Sequence, residues 1–266
     1  SILALYLFRL RPEVWVRQRQ ALLLVLLLLV SVLAAKLMVP GHAVLPYLLP
    51  AAAIPMLLAV LLGPDLAITV AIVFSIIVGF LGGGSLEFAV YAFAGGVIAS
   101  LALWRIERFN AFIWAAGYLA LANIAVVAAF RLPGHDYDAR GLLTLVGVAV
   151  VNSGLSVSLT LGGLFILGNV FVIITPFQLI DLAQPTQPPF RQILLKAPGT
   201  YHHSIIVSNL AERAAESIGA DVLLARVGAY YHDIGKTLRP WLFSENQLDG
   251  VNPHEELDPK TSARMI

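Results

Sequence analysis

Residues 20–39 read QALLLVLLLLVSVLAAKLMV, twenty positions carrying one formal charge, Lys36. A helix rises about 1.5 Å per residue, so twenty apolar residues cover the roughly 30 Å hydrocarbon core of a bilayer. Backbone groups at that depth find no water and must bond within their own helix. Five further apolar runs follow, at 44–62, 66–81, 85–104, 110–130 and 141–159. Between them lie turn residues or charge: Pro40-Gly41-His42, Gly63-Pro64-Asp65, Gly82-Gly83-Gly84, and residues 105–110 and 131–140. None of the runs alternates with period two, which argues against a β-barrel. The fold class read here is all-α, with a polytopic transmembrane helical bundle at the front of the chain.

Composition agrees. Of 266 residues, 59% are hydrophobic and 12% charged, with a mean hydropathy of +0.84. A soluble domain is about a quarter charged. By position, 18 of the 33 formal charges lie from Asp181 onward. This excludes both a single soluble globule and a disordered chain. It implies a membrane region over 1–182 and a water-facing tail. The net charge of +1 gives no electrostatic argument for a DNA or RNA polymer as partner. The absence of cysteine excludes disulfides and thiolate metal ligands.

Arginines set the orientation. Arg9, Arg11, Arg17 and Arg19 precede the first full span, and Arg105 and Arg108 follow the fourth, on the same side if each span crosses once. The opposite side carries Arg131 and Arg140, offset by Asp136 and Asp138, with Lys36 near a helix end. The first side is therefore read as cytoplasmic. Residues 1–8 would be the tail of an earlier helix, giving seven crossings and a cytoplasmic C-terminal part. Residues 160–180 are apolar enough for part of an eighth span, but Thr175-Pro176 interrupts the run and argues for an interfacial helix or a long tilted continuation of the last span, the interfacial helix being favoured. The chain reads as a piece at both ends, opening in mid-pattern at Ser1 and stopping inside the helical-looking run 261–266.

Within the spans polar residues are few, among them Ser75, Asn123, Asn152, Ser153, Ser156 and Ser158. Asn152, Ser153 and Ser156 could line one helix face and bind something small, but the favoured reading is bonding between helices. Gly79–Gly83 and Ala92–Gly96 read as close-packing pairs. With no ionisable residue in mid-span, a secondary transporter is disfavoured. A linker follows over 183–199, whose Pro185, Pro188, Pro189 and Pro198 favour extended geometry.

The tail holds His202, His203, His232 and His254. Residues 200–218 predict a helix capped by Thr200. At 100° per residue, His203 aligns with Ile206, Val207, Leu210, Ala214 and Ile218 and is expected to point inward. His202 aligns with Asn209, Arg213 and Glu216 and is expected to face water. A second helix over 221–232 has Asp221 as its cap and Gly235 as its left-handed stop. It ends in Tyr230-Tyr231-His232-Asp233-Ile234-Gly235-Lys236. Two imidazoles and a carboxylate suit Mn, Fe or Zn, and Lys236 suits a phosphate oxygen. Singly, a buried histidine is more often a satisfied core residue. The combination is what raises a metal site.

Taken together, residues 197–204 (APGTYHHS) and 224–236 (LARVGAYYHDIGK), with Glu245-Asn246-Gln247, Asn252-Pro253-His254 and Arg9-Leu10-Arg11-Pro12-Glu13, resemble a known family. It is the family of seven-transmembrane receptors with an intracellular HD hydrolase, of the PgpH type. The resemblance implies an all-helical HD phosphohydrolase domain over 200–266, incomplete in this chain. It also implies hydrolysis of cyclic di-AMP to linear pApA at a two-metal centre of Mn or Fe. His203, His232 and Asp233 would be metal ligands, with Asp233 bridging the ions and Lys236 assisting at the phosphate. The family pattern continues with further histidines and an aspartate downstream of Ile266, and His254 is not one of its ligands. This segment alone is therefore expected to be inactive. The implied setting is a multi-pass cell-membrane protein in the lipid bilayer with a cytoplasmic HD domain. Such a protein answers to an extracellular signal ligand, and homo-oligomerisation is left open. The competing reading is a non-catalytic receptor whose HD domain only binds a nucleotide.

Overall fold

Pro50 breaks the second apolar run. In the computed structural model, which describes residues 7–103, 110–132, 139–247, 252–255 and 257–265, that run is two helices. The expectations placed on residues 1–6, Arg105, Arg108, Asp136 and Asp138 lie outside the described residues. The chain forms two compact units, Ser1–Thr175 and Pro176–Ile266. It is all-α, with no strand among the described residues.

After a helical stretch at 7–10, the first unit has α1 (Pro12–Val16) and α2 (Gln18–Met38), then the broken pair α3 (Leu45–Leu48) and α4 (Ala53–Leu61). It continues with α5 (Pro64–Leu81), α6 (Leu86–Ala102), α7 (Asn110–Arg131) and α8 (Ala139–Phe171). Four of these, α2, α5, α7 and α8, are long and apolar enough to cross a membrane; Leu45–Leu61 and Leu86–Ala102 are shorter apolar helices. The α3–α4 break has a local cause. A residue before proline is pushed out of the helical region, and Leu49 sits at φ −57°, ψ 117°. Two carbonyls so freed, those of Tyr47 and Leu49, accept the side-chain amide of Asn152 from α8 at 2.9 and 2.6 Å. Tyr91 Oη donates to the Tyr47 carbonyl as well, at 3.0 Å.

The remaining polar side chains bond largely between or along helices. Asn123 Nδ2 donates to Asn152 Oδ1 at 3.4 Å, and Thr160 Oγ1 donates to the Ser156 carbonyl at 2.8 Å and the Ala53 carbonyl at 3.3 Å. At one end of the bundle the Tyr47 hydroxyl donates to Glu87, and Arg131 reaches both Glu87 (3.0 Å) and the Tyr47 hydroxyl (2.9 Å). Arg11 grips Asp65 with Nε at 2.9 Å and Nη2 at 3.1 Å and also donates to the Leu62 carbonyl. That places both ends of the α2–α4 excursion on one side of the bundle. Gly96 packs as expected, since a Cβ there would come within 2.9 Å of the Ala71 Cβ. Gly83 does not: at φ 71° it closes the α5–α6 turn, and a Cβ there would meet nothing within 4 Å.

Residues 160–180 are not one element. Residues 160–171 continue α8, a single 33-residue helix. It stops where Val172 adopts φ 55° and the Ile173 N–H bonds the Gly168 carbonyl at 3.0 Å, a Schellman-type closure. The expected boundary near 160 is missing because nothing there breaks a helix. The next helix begins only at Pro176.

The second unit comprises α9 (Pro176–Leu182), α10 (Pro188–Lys196), α11 (Pro198–Ser217) and α12 (Val222–Tyr231). Three 3₁₀ turns follow, Ile234–Leu238, Pro240–Leu242 and Ser244–Asn246, and then α13 (Pro259–Met265). Segment 183–199, expected to be extended, is largely helical. Pro188 and Pro198 occupy first-turn positions, where a missing N–H costs nothing. Phe190 and Ile193 of α10 are the centre of this unit's core, and the Phe190 ring lies 4.8 Å from that of Tyr230.

Candidate metal centre

The site is set by how α11 lies on α12. The buried residues of α11 are Thr200, Ser204, Ser208 and Ala215. These small side chains let the two helices approach closely. The face expected to be inward is instead turned outward: Ile206 is 49% exposed, Leu210 62% and Ile218 80%, and His203 is exposed with them. Hydrophobic periodicity picked the wrong stripe because close packing selects for size rather than apolarity. Thr200 is not the cap either. Ala197 holds that position, and Thr200 lies inside the first turn. Asp221 does cap α12, accepting from the Leu224 N–H at 2.9 Å. The left-handed stop is Gly219, at φ 68° after α11, while Gly235 sits within a 3₁₀ turn.

Although His203 is exposed, it meets its partners. His232 terminates α12 and Asp233 follows it at φ −110°, ψ 17°, so two adjacent side chains turn toward His203 on α11. Asp233 Oδ2 lies 3.2 Å from His232 Nε2 and 3.9 Å from His203 Nε2. All three donor atoms lie within 4.8 Å of one another. Among the described residues, this is the one cluster of three or more metal-ligating side chains. His202 stays outside it.

The tautomer of His232 follows from its neighbour. Its Nδ1 lies 2.8 Å from the Ala229 carbonyl, which can only accept, so Nδ1 carries the proton. Nε2 is thereby the nitrogen presented toward Asp233, the arrangement of a ligating histidine oriented by a backbone carbonyl. An ion bound at about 2.0–2.2 Å from each donor is shared by donors up to about 4 Å apart. The two separations to Asp233 Oδ2 meet that condition. Two imidazoles and a carboxylate thus fit a divalent transition metal.

Lys236 closes one side. Its Nζ donates to Asp233 Oδ2 at 2.8 Å and to Glu245 Oε1 at 2.7 Å. Partial burial opposes its charge, but the bonds to Asp233 and Glu245 prevail and raise its pKa above the ordinary lysine value. Sequence reasoning missed Glu245 as part of this group. The signal was the run Glu245-Asn246-Gln247, noted only as a motif. His254 is occupied elsewhere: Nε2 donates to the Leu242 carbonyl at 3.0 Å and Nδ1 accepts from Ser262 Oγ at 2.8 Å.

Comparison with known proteins bears on both units. Residues 1–175 match the family described as 7TM receptor with intracellular HD hydrolase, and residues 200–266 match the HD domain. A curated cyclic-di-AMP phosphodiesterase PgpH of Listeria monocytogenes is 36% identical over 223 residues, covering 83% of this chain and 31% of the relative. The protein of the same name from Bacillus subtilis is 35% identical over 227 residues, covering 83% and 32%. The chain therefore spans about a third of the length of the curated relatives it matches. The crystal structure of the Listeria PgpH HD domain in complex with cyclic-di-AMP is 60% identical over 31% of this chain and 39% of its own, with a TM-score of 0.30.

Proposed function

Because the chain belongs to the family of 7TM receptors with an intracellular HD hydrolase, we propose that it is part of a membrane-anchored, metal-dependent phosphodiesterase that hydrolyses cyclic di-AMP to linear pApA. The observation carrying this reading is the convergence of His203, His232 and Asp233 with Lys236 beside them. Two curated relatives named for that activity, at 36% and 35% identity, support the substrate.

In this reading His203 and His232 would offer Nε2 and Asp233 would offer Oδ2 to a divalent transition metal, Mn or Fe, as a pair of ions. Such ions supply an activated water and neutralise phosphoryl oxygens. The Ala229 carbonyl fixes the His232 ring so that its lone pair needs no reorientation. Lys236, a point charge, offers its ammonium to a phosphate oxygen of the bound dinucleotide. The arginines before α2 support a cytoplasmic HD unit, with the signal sensed through the membrane region. The chain lacks cysteine, so single cysteines introduced at His42 or Glu212 and labelled in intact cells test that side directly.

The test of activity uses the protein as its gene encodes it in full, incubated with cyclic di-AMP and Mn. The expected result is pApA, lost in Asp233→Ala. No pApA from the native protein, or unchanged turnover in the variant, would overturn the reading.

A further inference from the structure

Lys236 stands between two carboxylates that have different duties. Its ammonium is 2.8 Å from Asp233 Oδ2 and 2.7 Å from Glu245 Oε1. Asp233 Oδ2 is also the oxygen facing Nε2 of both histidines. A cation entering between the histidines and Asp233 would therefore meet the ammonium at the same oxygen. Like charges that close repel strongly where solvent is partly excluded, and the Lys236 side chain is only 21% exposed.

Glu245 is held where it can relieve that conflict. Its Oε1 accepts from Thr200 Oγ1 at 3.1 Å as well as from Lys236. The neighbouring Asn246 brackets Thr200, accepting from its N–H at 3.1 Å and donating to its hydroxyl at 2.8 Å. The turn Ser244–Asn246 is thus pinned to the first turn of α11, three residues before His203. Glu245 itself stands outside the His203, His232 and Asp233 donor set.

We propose that Glu245 is a positioning residue of the metal centre: it holds Lys236 at the rim and gives its ammonium an anionic partner when a divalent cation takes Asp233 Oδ2. The inference rests on the reading of His203, His232 and Asp233 as metal ligands. Lys236 then stays charged and close enough to meet a phosphate oxygen without competing for the ligand. Removing the Glu245 charge leaves Asp233 as the one anionic partner of Lys236 among the described residues, and the lysine becomes an internal competitor of the metal.

The test measures Mn²⁺ binding by equilibrium dialysis, without substrate, on the protein encoded in full. Wild type, Glu245→Gln, Lys236→Met and the double variant are compared. Glutamine keeps the shape of Glu245 and an oxygen for Thr200, so the fold is retained. Glu245→Gln should weaken Mn²⁺ binding about ten-fold, the scale of losses beyond the ligands themselves. Lys236→Met should restore binding in that background and by itself leave affinity at or above wild type. Wild-type affinity in Glu245→Gln, a loss that Lys236→Met leaves uncorrected, or a ten-fold loss in Lys236→Met alone would each overturn the proposal. A wild type that binds Mn²⁺ but leaves cyclic di-AMP intact refutes the phosphodiesterase reading alone; one that binds no Mn²⁺ refutes both.

Discussion

The side-chain amide of Asn152 lies 2.6 Å from the carbonyl oxygen of Leu49, the residue immediately before Pro50. The same amide reaches the Tyr47 carbonyl at 2.9 Å. One side chain of α8 thereby satisfies the backbone that the α3–α4 break leaves open, inside an apolar bundle that supplies no water. Asn152→Leu is nearly isosteric and removes both donors. It is expected to destabilise the first unit by about 1–3 kcal/mol, the cost of losing two buried hydrogen bonds and the acceptor of the Asn123 amide, while the Tyr47 and Leu49 carbonyls keep Tyr91 Oη and the Ala51 N–H. Thermal unfolding in detergent checks this, and an unchanged midpoint would refute the role.

Gly199 answers to a backbone rather than a side chain. A Cβ there would fall 1.8 Å from the Glu245 carbonyl oxygen and 2.5 Å from its carbon. Main-chain atoms cannot swing aside as a side chain can, so the Ser244–Asn246 turn must leave α11. Gly199→Ala is expected to lose the Thr200–Asn246 bonds and to cost at least about 1–3 kcal/mol. Denaturant unfolding of the second unit measures the cost, and faster hydrogen exchange at the Thr200 amide marks the lost contact.

Metal loading is expected to stabilise the second unit. A ligand that binds only the folded form contributes about 2.7 kcal/mol at a hundred times its dissociation constant. Mn²⁺ should therefore raise the thermal midpoint of the wild type, and a chelator should reverse the gain. Asp233→Ala should show no shift, because Oδ2 is the atom common to both short separations. A shift of equal size in the variant would place the metal elsewhere.

Acid should release the Glu245 clamp late. Partial burial opposes the Glu245 charge, but the hydrogen bond from Lys236 prevails and lowers the carboxyl below its ordinary value. A carboxylate depressed in the folded state contributes stability that is fully present above its unfolded pKa and is lost as pH falls through the folded one. Wild type should thus exceed Glu245→Gln in stability at neutral pH. The gap should persist through about pH 4.3, where a free glutamate is half protonated, and close only below it. Unfolding midpoints of the two proteins across acid pH read this directly; a gap that closes well above that value would contradict it.

Much of this was legible from local patterns. Asp221 as a cap, the apolar runs of α2, α5 and α7, and the His232-Asp233 pair at a helix end all depend on neighbours within a turn of the chain. The break at Pro50 and the helix over Pro188–Lys196 each turn on proline position or on a partner far along the chain, whereas α8 runs on through residue 160 because nothing there breaks a helix. Pro50 lies inside an apolar run that reads as one span, and donors far along the chain, Tyr91 and Asn152, help make the broken backbone tolerable there. Pro188 looks like a spacer until it is seen at the first turn of a helix whose Phe190 is buried.

By itself the sequence determined that this chain is helical, that its front is apolar enough for a membrane and that two histidines and an aspartate were the candidates for a metal. Those conclusions need only hydropathy, helix periodicity and side-chain chemistry. Tertiary structure alone decided which face of α11 is covered, and it brought His203 to the centre from the exposed side rather than the buried one. It also revealed Glu245 as the second anchor of Lys236. Packing of small residues between α11 and α12, and a contact between Gly199 and Glu245 over 46 positions of chain, leave no periodic trace.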